Sequence, residues 1–311
     1  MEIIDIVIPC KNEETNINNI YSELKKYENE LKKEFDVSFN IIFVDDGSND
    51  NTIEIIKNLS IENKNVKYIF FSKNFGKESA IFAGLKKSDA DFTILMDCDM
   101  QDPPELIIDM YKSVKLKNYD ACGTRRVSRD GEPKIRSFFS NLFYYFFNIM
   151  TNLNLPNGAR DFCIMSKKFR EAIIQNSERN RFFKGLFCNV GFNVKWLEFK
   201  NVKRFAGETK WSFYKLFLYS IEGITSFSSA PIFISSVFGV FCCFVSFLFL
   251  LFIIIRAMLF GDRVIGWPSL VAIILFLQGL QFLFIGIIGI YISKNYVELK
   301  NRPLYFIKEE L

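Results

Sequence analysis

The sequence DCDMQ, which begins at Asp97, places oxygen-bearing side chains at alternate positions. On an extended chain, Asp97, Asp99 and Gln101 would point to one face, and the Cys and Met between them to the other. Three oxygen ligands without nitrogen or sulfur suit a hard divalent cation, Mg²⁺ or Mn²⁺, that keeps open positions for phosphate oxygens. Two aspartates at this spacing can also form a solvated turn, but a strand end followed by a proline-started helix favours a metal site.

Two further polar clusters could bind a charged ligand. Asp45 and Asp46 open the sequence DDGSND, in which an Asp or Ser could simply cap the following helix. Two consecutive carboxylates exceed what a cap needs, and one could accept hydrogen bonds from a nucleobase or ribose. Gly76 provides a turn and Lys77 a cation at a predicted helix start, which suits contact with a diphosphate. The alternative for Lys77 is an ordinary solvated lysine.

Short apolar runs alternate with helical patterns through the first hundred residues. Strands are predicted at Ile3–Ile8, Ile41–Val44, Tyr68–Phe71 and Phe92–Met96, and helices at Glu14–Leu31, Thr52–Leu59 and Lys77–Lys87. This alternation predicts an α/β fold with a mostly parallel sheet and helices on both faces. Ligands bind at the carboxyl ends of strands in such sheets, and each predicted strand here is followed by polar residues.

The chain of 311 residues contains no His. This excludes Ser-His-Asp hydrolysis, His-ligated zinc and proton transfer by an imidazole. Seven Cys are scattered without a CxxC pair, so we expect no structural zinc and interpret the thiols as reduced and buried. The net charge of +4 is accompanied by no nucleic-acid-binding motif, and we expect no nucleic-acid partner.

Two long stretches carry no charged residue, namely Pro231–Ile255 and Val264–Ser293. Each exceeds the ~20 apolar residues that cross a bilayer, so a transmembrane hairpin is predicted. A buried helical pair inside a soluble core is the alternative. Basic residues flank the outer ends of the hairpin, and the positive-inside rule therefore predicts that both termini are cytoplasmic. The N-terminus opens on a charged, strand-like segment, so no signal peptide is predicted.

Two aromatic segments precede the hairpin, at Phe138–Met150 and Trp211–Ile224. The first is too apolar for a solvated helix and too short to span a bilayer, and the second mixes aromatic residues with lysines. Both suit interfacial helices that lie in the plane of the lipid headgroups. Packing onto the core of the preceding domain is the alternative for each.

Together, the motifs resemble a known family. IVIPCKNEE from Ile6, VDDGS from Val44, NFGKE from Asn74 and DCDMQDPPE from Asp97 occur in the order and spacing of a family-2 glycosyltransferase of GT-A fold. Within that family the chain resembles the polyprenyl-phosphate glycosyltransferases, which include bactoprenol glucosyltransferases and dolichyl-phosphate mannose synthases. The resemblance covers essentially the full length. The QxxRW signature of processive polysaccharide synthases is absent, which favours transfer of a single sugar.

The resemblance implies two groups of donor-binding residues. One group surrounds the nucleotide of the sugar donor, and the other holds a Mg²⁺ or Mn²⁺ ion against its diphosphate, where the ion neutralises charge on the departing group. The expected nucleotide-binding residues are Pro9, Glu13, Asp45, Asp46 and Lys77. The expected metal ligands are Asp97, Asp99 and Gln101.

The implied acceptor is a polyprenyl phosphate. Such a phosphate is already anionic at neutral pH, because its second pKa is ~6, and it therefore needs no strong general base. Cations would hold it, and we expect Arg125, Lys134 and Arg136 to do so, although this basic run could also be a solvated or headgroup-facing loop. Asp161 matches a family position near the reacting centre. With Asp97 and Asp99 it completes the expected catalytic residues.

The expected activity is inverting transfer of one hexose, with UDP-glucose as the first expectation for the donor. The alternatives are a GDP-mannose-dependent polyprenyl-phosphate mannosyltransferase, transfer to another lipid acceptor, and an inactive membrane scaffold. We expect a multi-pass protein of the plasma membrane with a cytoplasmic catalytic domain. By resemblance, we also expect a homo-oligomer, a tetramer.

The expected organisation follows from these assignments. Residues 1–137 form a nucleotide-sugar-binding half and residues 138–230 an acceptor-side half with interfacial helices. Residues 231–293 form the hairpin, with spans at about 231–255 and 264–293, and residues 294–311 form a cytoplasmic tail.

Overall fold

The computed structural model describes residues 2–127, 134–200, 213–260 and 266–311. Within these ranges the strands are β1 (Glu2–Cys10), β2 (Val37–Asp45), β3 (Val66–Phe71), β4 (Phe92–Leu95), β5 (Ala121–Arg126), β6 (Ala159–Ser166), β7 (Val194–Phe199) and β8 (Ile307–Glu310). The helices are α1 (Ile17–Phe35), α2 (Thr52–Glu62), α3 (Lys77–Lys87), α4 (Leu106–Leu116), α5 (Lys134–Thr151), α6 (Lys167–Gln175), α7 (Phe183–Asn189), α8 (Phe213–Phe227), α9 (Ala230–Phe260) and α10 (Trp267–Leu299).

The described strands form one sheet in the order β7-β5-β6-β4-β1-β2-β3-β8. Strands β3, β2, β1 and β4 run parallel to one another, as β5 and β7 do. Strand β6 is antiparallel to β4 and β5, and β8 is antiparallel to β3. The parallel centre arises because helices α1, α2 and α3 connect successive strands, as the alternating apolar runs predicted. The predicted α/β class with a mostly parallel sheet is confirmed.

Alternate residues of β1 supply the two faces of the sheet. Ile4, Ile6 and Ile8 belong to the core on the side of α1, α2 and α4. Val7 belongs to the core on the side of α3, α6 and α7. A Cβ on Gly84 of α3 would lie 2.2 Å from Cγ1 of Val7, so glycine permits the close approach of this helix. Both faces are covered, which explains why the central strands are almost continuously apolar.

The parallel register aligns the carboxyl ends of the central strands. Cys10 of β1 pairs with Asp45 of β2, and Val7 of β1 pairs with Leu95 of β4. The residues that follow β1, β2 and β4 therefore leave the sheet at the same edge. This is the edge at which parallel α/β sheets bind their ligands.

The expectation of an extended chain through residues 97–101 is wrong. Strand β4 ends at Leu95, and the following residues form a turn in which Met100 has a φ of 57°. A left-handed residue breaks the alternation that an extended strand would impose. Cys98 is nevertheless buried, while Asp97 and Asp99 are partly exposed.

A second compact unit comprises residues 224–302, and residues 2–223 and 303–311 form the first. Helices α9 and α10 contain candidate membrane spans at Ala230–Phe249 and Phe276–Leu299, judged by length and composition. Only 6% and 0% of the residues in the most apolar windows of these spans are buried. A helical pair buried in a soluble core is therefore not what the structure shows.

Helix α5 has an exposed apolar surface as well as a packed one. Phe147 is completely buried and lies 5.6 Å, between ring centroids, from Phe182. Other large apolar side chains of the same helix are 37–62% exposed: Phe139, Leu142, Tyr145, Phe146 and Ile149. The buried Phe147 matches the core-packing interpretation, and an interfacial position for the exposed side chains stays a prediction. The side chains of residues 211–219 in the second aromatic segment lie outside the described part.

Candidate active site

Lys77, the first residue of α3, bridges two carboxylates at the carboxyl edge of the sheet. Its Nζ lies 2.6 Å from Oδ1 of Asp97 and 2.6 Å from Oδ2 of Asp161. Asp97 follows β4 and Asp161 lies on β6, and these strands are antiparallel neighbours, with Leu95 paired to Cys163. The fold thus brings together three of the predicted site residues.

The bridge stabilises the charged forms of Lys77 and Asp161. Desolvation opposes the charged form of Lys77, but Asp161 and Asp97 outweigh it and raise the pKa of the ammonium. Desolvation likewise opposes ionisation of Asp161, but Lys77 outweighs it and lowers the pKa of that carboxyl. At neutral pH Lys77 is therefore a cation and Asp161 an anion. The Lys77 side chain is 40% exposed, so a ligand can reach it.

Asp46 holds the loop that leads into Lys77. Its carboxylate accepts hydrogen bonds from the backbone N–H of Phe75 at 2.6 Å and of Gly76 at 3.0 Å. Gly76 has a φ of 95°, a conformation that favours glycine. The Asp46 carboxylate thus holds the backbone of this loop, and its predicted contact with a nucleotide stays a prediction. Desolvation raises its pKa, and the bonds from Phe75 and Gly76 act in the opposite direction.

Asp45 shapes the turn after β2. One carboxylate oxygen accepts a hydrogen bond from the backbone N–H of Ser48 at 2.9 Å, and the other accepts from the Ser48 hydroxyl. Asp45 is completely buried. Its contacts match the turn interpretation of this segment, and any contact with a nucleotide stays a prediction.

Pro9 lies near the end of β1, and Glu13 lies in the turn that follows this strand. Pro9 is buried and pairs with Val44 near the end of β1. The backbone N–H of Glu13 donates to Oγ1 of Thr52 at 2.9 Å, which ties the turn after β1 to the start of α2. The Glu13 carboxylate accepts a hydrogen bond from Nδ2 of Asn16 at 2.6 Å. Their assignment to the nucleotide stays a prediction.

The predicted metal ligands lie in the turn after β4. Asp97, Asp99 and Gln101 are all partly exposed, and Oδ1 of Asp99 accepts a hydrogen bond from the backbone N–H of Gln101 at 3.2 Å. In the part of the chain that the structure describes, no three His, Cys, Asp or Glu side chains group as metal ligands. The candidate donor set is instead two carboxylates and one amide oxygen. Oxygen donors of this kind fit Mg²⁺ or Mn²⁺.

Asp102 and Arg160 form an ion pair beside this turn that the sequence did not predict. Nε of Arg160 lies 2.9 Å from Oδ1 of Asp102, whose side chain is completely buried. Oδ2 of Asp102 is buried without a hydrogen-bond partner. Desolvation raises the pKa of Asp102, and Asp102 raises that of Arg160. The sequence offered little indication of this ion pair, because Asp102 is typical of a helix start and Arg160 stands out only as the neighbour of Asp161.

Glu78 is a second residue that sequence reasoning missed. Its carboxylate accepts a hydrogen bond from the backbone N–H of Phe183 at 2.9 Å, which connects α3 to the start of α7. Desolvation, with a contribution from Asp161, raises the pKa of Glu78 to about 7. The adjacent Lys77 drew attention to the same segment, but nothing in the sequence indicated the contact with Phe183.

The predicted acceptor cations are only partly described. Arg125 forms an ion pair with Glu198, its cross-strand neighbour on β7. Lys134 and Arg136 lie in the first turn of α5, but their side chains lie outside the described part of the structure, as do residues 128–133. Phosphate contact by these three residues stays a prediction.

The mostly parallel sheet, with charged residues collected where its central strands end, defines an α/β protein with a candidate ligand site at that edge. A family model described as "Glycosyl transferase family 2" matches residues 5–174. The chain belongs to glycosyl transferase family 2, as its motifs predicted, and it is a glycosyltransferase.

Curated relatives are similar over nearly the whole chain. "Putative glycosyltransferase CsbB" of Bacillus subtilis (strain 168) is 38% identical over 99% of this chain and 92% of its own length. "Prophage bactoprenol glucosyl transferase homolog" of Escherichia coli (strain K12) is 37% identical over 98% of each chain. "Bactoprenol glucosyl transferase" of Shigella phage SfV is 36% identical over 99% of this chain and 98% of its own.

Among solved structures, glucosyl-3-phosphoglycerate synthase from Mycobacterium tuberculosis, in complex with Mn²⁺, UDP and phosphoglyceric acid, is 16% identical. The similarity covers 72% of this chain and 76% of that chain, with a TM-score of 0.49.

Proposed function

We propose that the protein transfers a single hexose from a nucleotide sugar to polyprenyl phosphate at a membrane. The structural observation that carries this proposal is the bridge from Lys77 to Asp97 and Asp161, which collects charged groups where a diphosphate donor would bind. The full-length similarity to relatives named as bactoprenol glucosyl transferases supports the lipid acceptor. UDP-glucose is the first donor to test.

Donor binding follows from the oxygen ligands beside this bridge. A Mg²⁺ or Mn²⁺ ion would be held by Asp97, Asp99 and Gln101, and when bound it supplies positive charge to the departing diphosphate. Lys77 contacts Asp97 and adds a fixed cation at the same place. Asp161 holds the other side of the Lys77 ammonium and keeps it oriented.

The nucleophile in this reaction is the acceptor phosphate. It arrives ionised, because the second pKa of a phosphate monoester is ~6, so no strong general base is required. Asp161 is a poor base, since its pairing with Lys77 lowers the pKa of its carboxyl. We therefore give Asp161 an orienting role. Direct displacement at the anomeric carbon would invert its configuration.

Several apolar surfaces support a membrane location. Helices α9 and α10 are long and apolar enough to cross a bilayer. The exposed stripe of α5, which includes Phe139, Phe146 and Ile149, suits a helix at the lipid headgroups. In this arrangement residues 1–137 bind the donor and residues 138–230 meet the lipid acceptor. The catalytic domain and both termini are cytoplasmic, by the excess of basic residues outside the hairpin.

The test is a donor and acceptor screen. Membranes that contain the protein are incubated with radiolabelled UDP-glucose, UDP-galactose or GDP-mannose, and the labelled lipid is extracted. We expect a phosphate-linked, acid-labile product from one donor. A label on diacylglycerol would show another lipid acceptor, and no labelled lipid from any donor, with no calorimetric binding of nucleotide sugars, would favour a scaffold. Light scattering of the detergent-solubilised protein tests the expected tetramer.

A further inference from the structure

The last residues of the chain return to the catalytic sheet after the two apolar helices. Residues 303–311 belong to the same compact unit as residues 2–223. Within this segment, β8 pairs antiparallel with β3 at the edge of the sheet. The backbone N–H of Leu311 donates to the carbonyl of Tyr68 at 3.0 Å, and that of Ser72 donates to the carbonyl of Phe306 at 3.0 Å. The segment is thus hydrogen-bonded at both ends.

The first part of this segment packs against the end of β3 and the loop that follows it. The ring of Tyr305 stacks on that of Phe71, with centroids 4.8 Å apart and planes at 15°. Phe71 in turn meets the edge of Phe75, with centroids 5.8 Å apart. The Phe306 ring lies 6.0 Å from that of Phe75. Phe306 therefore lies directly beside Phe75, and Tyr305 is connected to Phe75 through the ring of Phe71.

Phe75 belongs to the loop that positions Lys77. The backbone N–H groups of Phe75 and Gly76 donate to Asp46, and the rings of Phe71 and Phe306 pack near that of Phe75. Beyond the loop, the Ser79 hydroxyl lies 3.5 Å from the carbonyl of Leu304. Two independent sets of contacts thus fix the start of α3. Lys77 begins this helix and reaches the carboxylates.

The far part of the segment is held by exposed polar contacts. Oε2 of Glu309 lies 2.6 Å from Nζ of Lys57, and the Tyr68 hydroxyl donates to Oε1 of Glu309 at 3.0 Å. Exposed ion pairs contribute little to stability. None of the contacts described above connects Glu309 with Phe75 or Lys77. This part of the strand therefore provides a matched control.

We propose that residues 304–306, which lead into β8, are a positioning element of the active site, and that Tyr305 acts through Phe71 and Phe75 to place Lys77 between Asp97 and Asp161. The expected effect on the kinetics of sugar transfer rests on the proposed function. The structural consequence of the proposal, a more mobile loop at residues 72–76, can be measured without any substrate.

The experiment compares Tyr305→Ala, Tyr305→Phe and the control Glu309→Gln in the full-length, detergent-solubilised protein. Amide hydrogen exchange is measured at residues 72–80 and at β1, and kcat and KM for the nucleotide sugar are determined. Loss of one aromatic stack should lower kcat/KM about threefold to tenfold. In Tyr305→Ala we expect faster exchange at Phe75 and Gly76, unchanged exchange in β1 and that fall in kcat/KM. Tyr305→Phe keeps the ring and should show wild-type exchange at Phe75 and Gly76 and wild-type kcat/KM. Glu309→Gln should change neither the exchange nor kcat/KM.

Several outcomes would overturn the proposal. One is unchanged exchange at residues 72–80 in Tyr305→Ala, and another is faster exchange there with unchanged kinetics. An equal effect of Glu309→Gln would show that β8 acts only on general stability. If exchange in β1 also rises in Tyr305→Ala, a second variant is needed. Tyr305→Leu keeps the apolar volume but removes the ring stack. It must show faster exchange at residues 72–80 with unchanged exchange in β1, and otherwise the proposal is wrong. A wild-type protein that transfers no sugar would contradict the proposed function, while the exchange data would still test the contact.

Discussion

The Lys77 ammonium lies 2.6 Å from a carboxylate oxygen of Asp161, although 84 positions separate the two residues in the sequence. The contact joins the start of α3 to the start of β6, at the edge of the sheet where β1, β2 and β4 end. Because Lys77 pairs with Asp97 at the same time, one cation connects the residue expected at the metal with the residue expected at the reacting centre. A substitution at Lys77 should therefore affect the reaction more than the fold.

Replacing Lys77 with Met should lower kcat/KM for sugar transfer by about a hundredfold or more, the usual loss for one preorganised charge-stabilising donor. The cation that neutralises Asp97 and Asp161 is lost, and with it the expected diphosphate contact. Steady-state kinetics with the donor identified in the screen measures the effect. Lys86→Met, an exposed position on the same helix, is the control and should behave as wild type. Equal kinetics for the two variants would remove Lys77 from the site.

Asp99→Asn should raise the Mg²⁺ or Mn²⁺ concentration required for half-maximal transfer by more than about tenfold, because a neutral amide replaces a charged oxygen ligand. Metal titration of the transfer rate and Mn²⁺ binding followed by electron paramagnetic resonance measure this change. Asp89→Asn serves as the control, since the Asp89 side chain is 92% exposed and pairs with Lys167. An unchanged metal response in Asp99→Asn would contradict the ligand assignment.

Asp102→Asn should reduce the free energy of unfolding by about 1–3 kcal/mol, because it leaves the Arg160 guanidinium without its buried partner. Thermal unfolding of the solubilised protein measures the loss. The double variant Asp102→Asn with Arg160→Gln should be less destabilised than the sum of the two single variants. Strict additivity would show that the ion pair does not couple these residues.

Glu78 should make the folded protein less stable as the pH rises from about 4.5 to about 7. Desolvation raises its pKa in the folded state to about 7 from 4.5, so the folded state binds a proton that the unfolded state releases across this interval. Stability from this group is complete below the unfolded pKa and is lost as the pH passes the folded one. Glu78→Gln stays neutral and should flatten this part of the curve by about 3 kcal/mol.

Unfolding temperatures of wild type, Glu78→Gln and the exposed control Glu54→Gln, measured between pH 5 and pH 8, test this prediction. The control should follow the wild-type curve. A Glu78→Gln curve parallel to the wild type would contradict the raised pKa of the carboxyl.

The sequence predicted the sheet because alternating apolar runs report burial on two faces, and it singled out Lys77, Asp97 and Asp161. It did not predict that these side chains touch, since the contact depends on the antiparallel pairing of β4 with β6. Strand β8 carries three charges in four residues and is defined by pairing with β3 from more than two hundred positions away. Such long-range pairings leave no local pattern.

The backbone contacts of Asp46 were not predicted for a similar reason. Its carboxylate accepts hydrogen bonds from the backbone N–H groups of Phe75 and Gly76, and backbone donors have no sequence signature. Contact between Asp46 and a nucleotide stays a prediction. At Met100 a local turn replaced the expected extended chain. The residue types of the site could therefore be predicted from the sequence, whereas the contacts among these residues depend on the three-dimensional fold.

The most direct test of the central claim is mass spectrometry of the lipid product formed by the purified protein from undecaprenyl phosphate and a nucleotide sugar. Wild-type protein with Mg²⁺ or Mn²⁺ should add the mass of one hexose to the lipid phosphate, and Lys77→Met should form little product under the same conditions. A product that carries several sugars, a sugar on a lipid without phosphate, or equal yields from wild type and Lys77→Met would contradict the account.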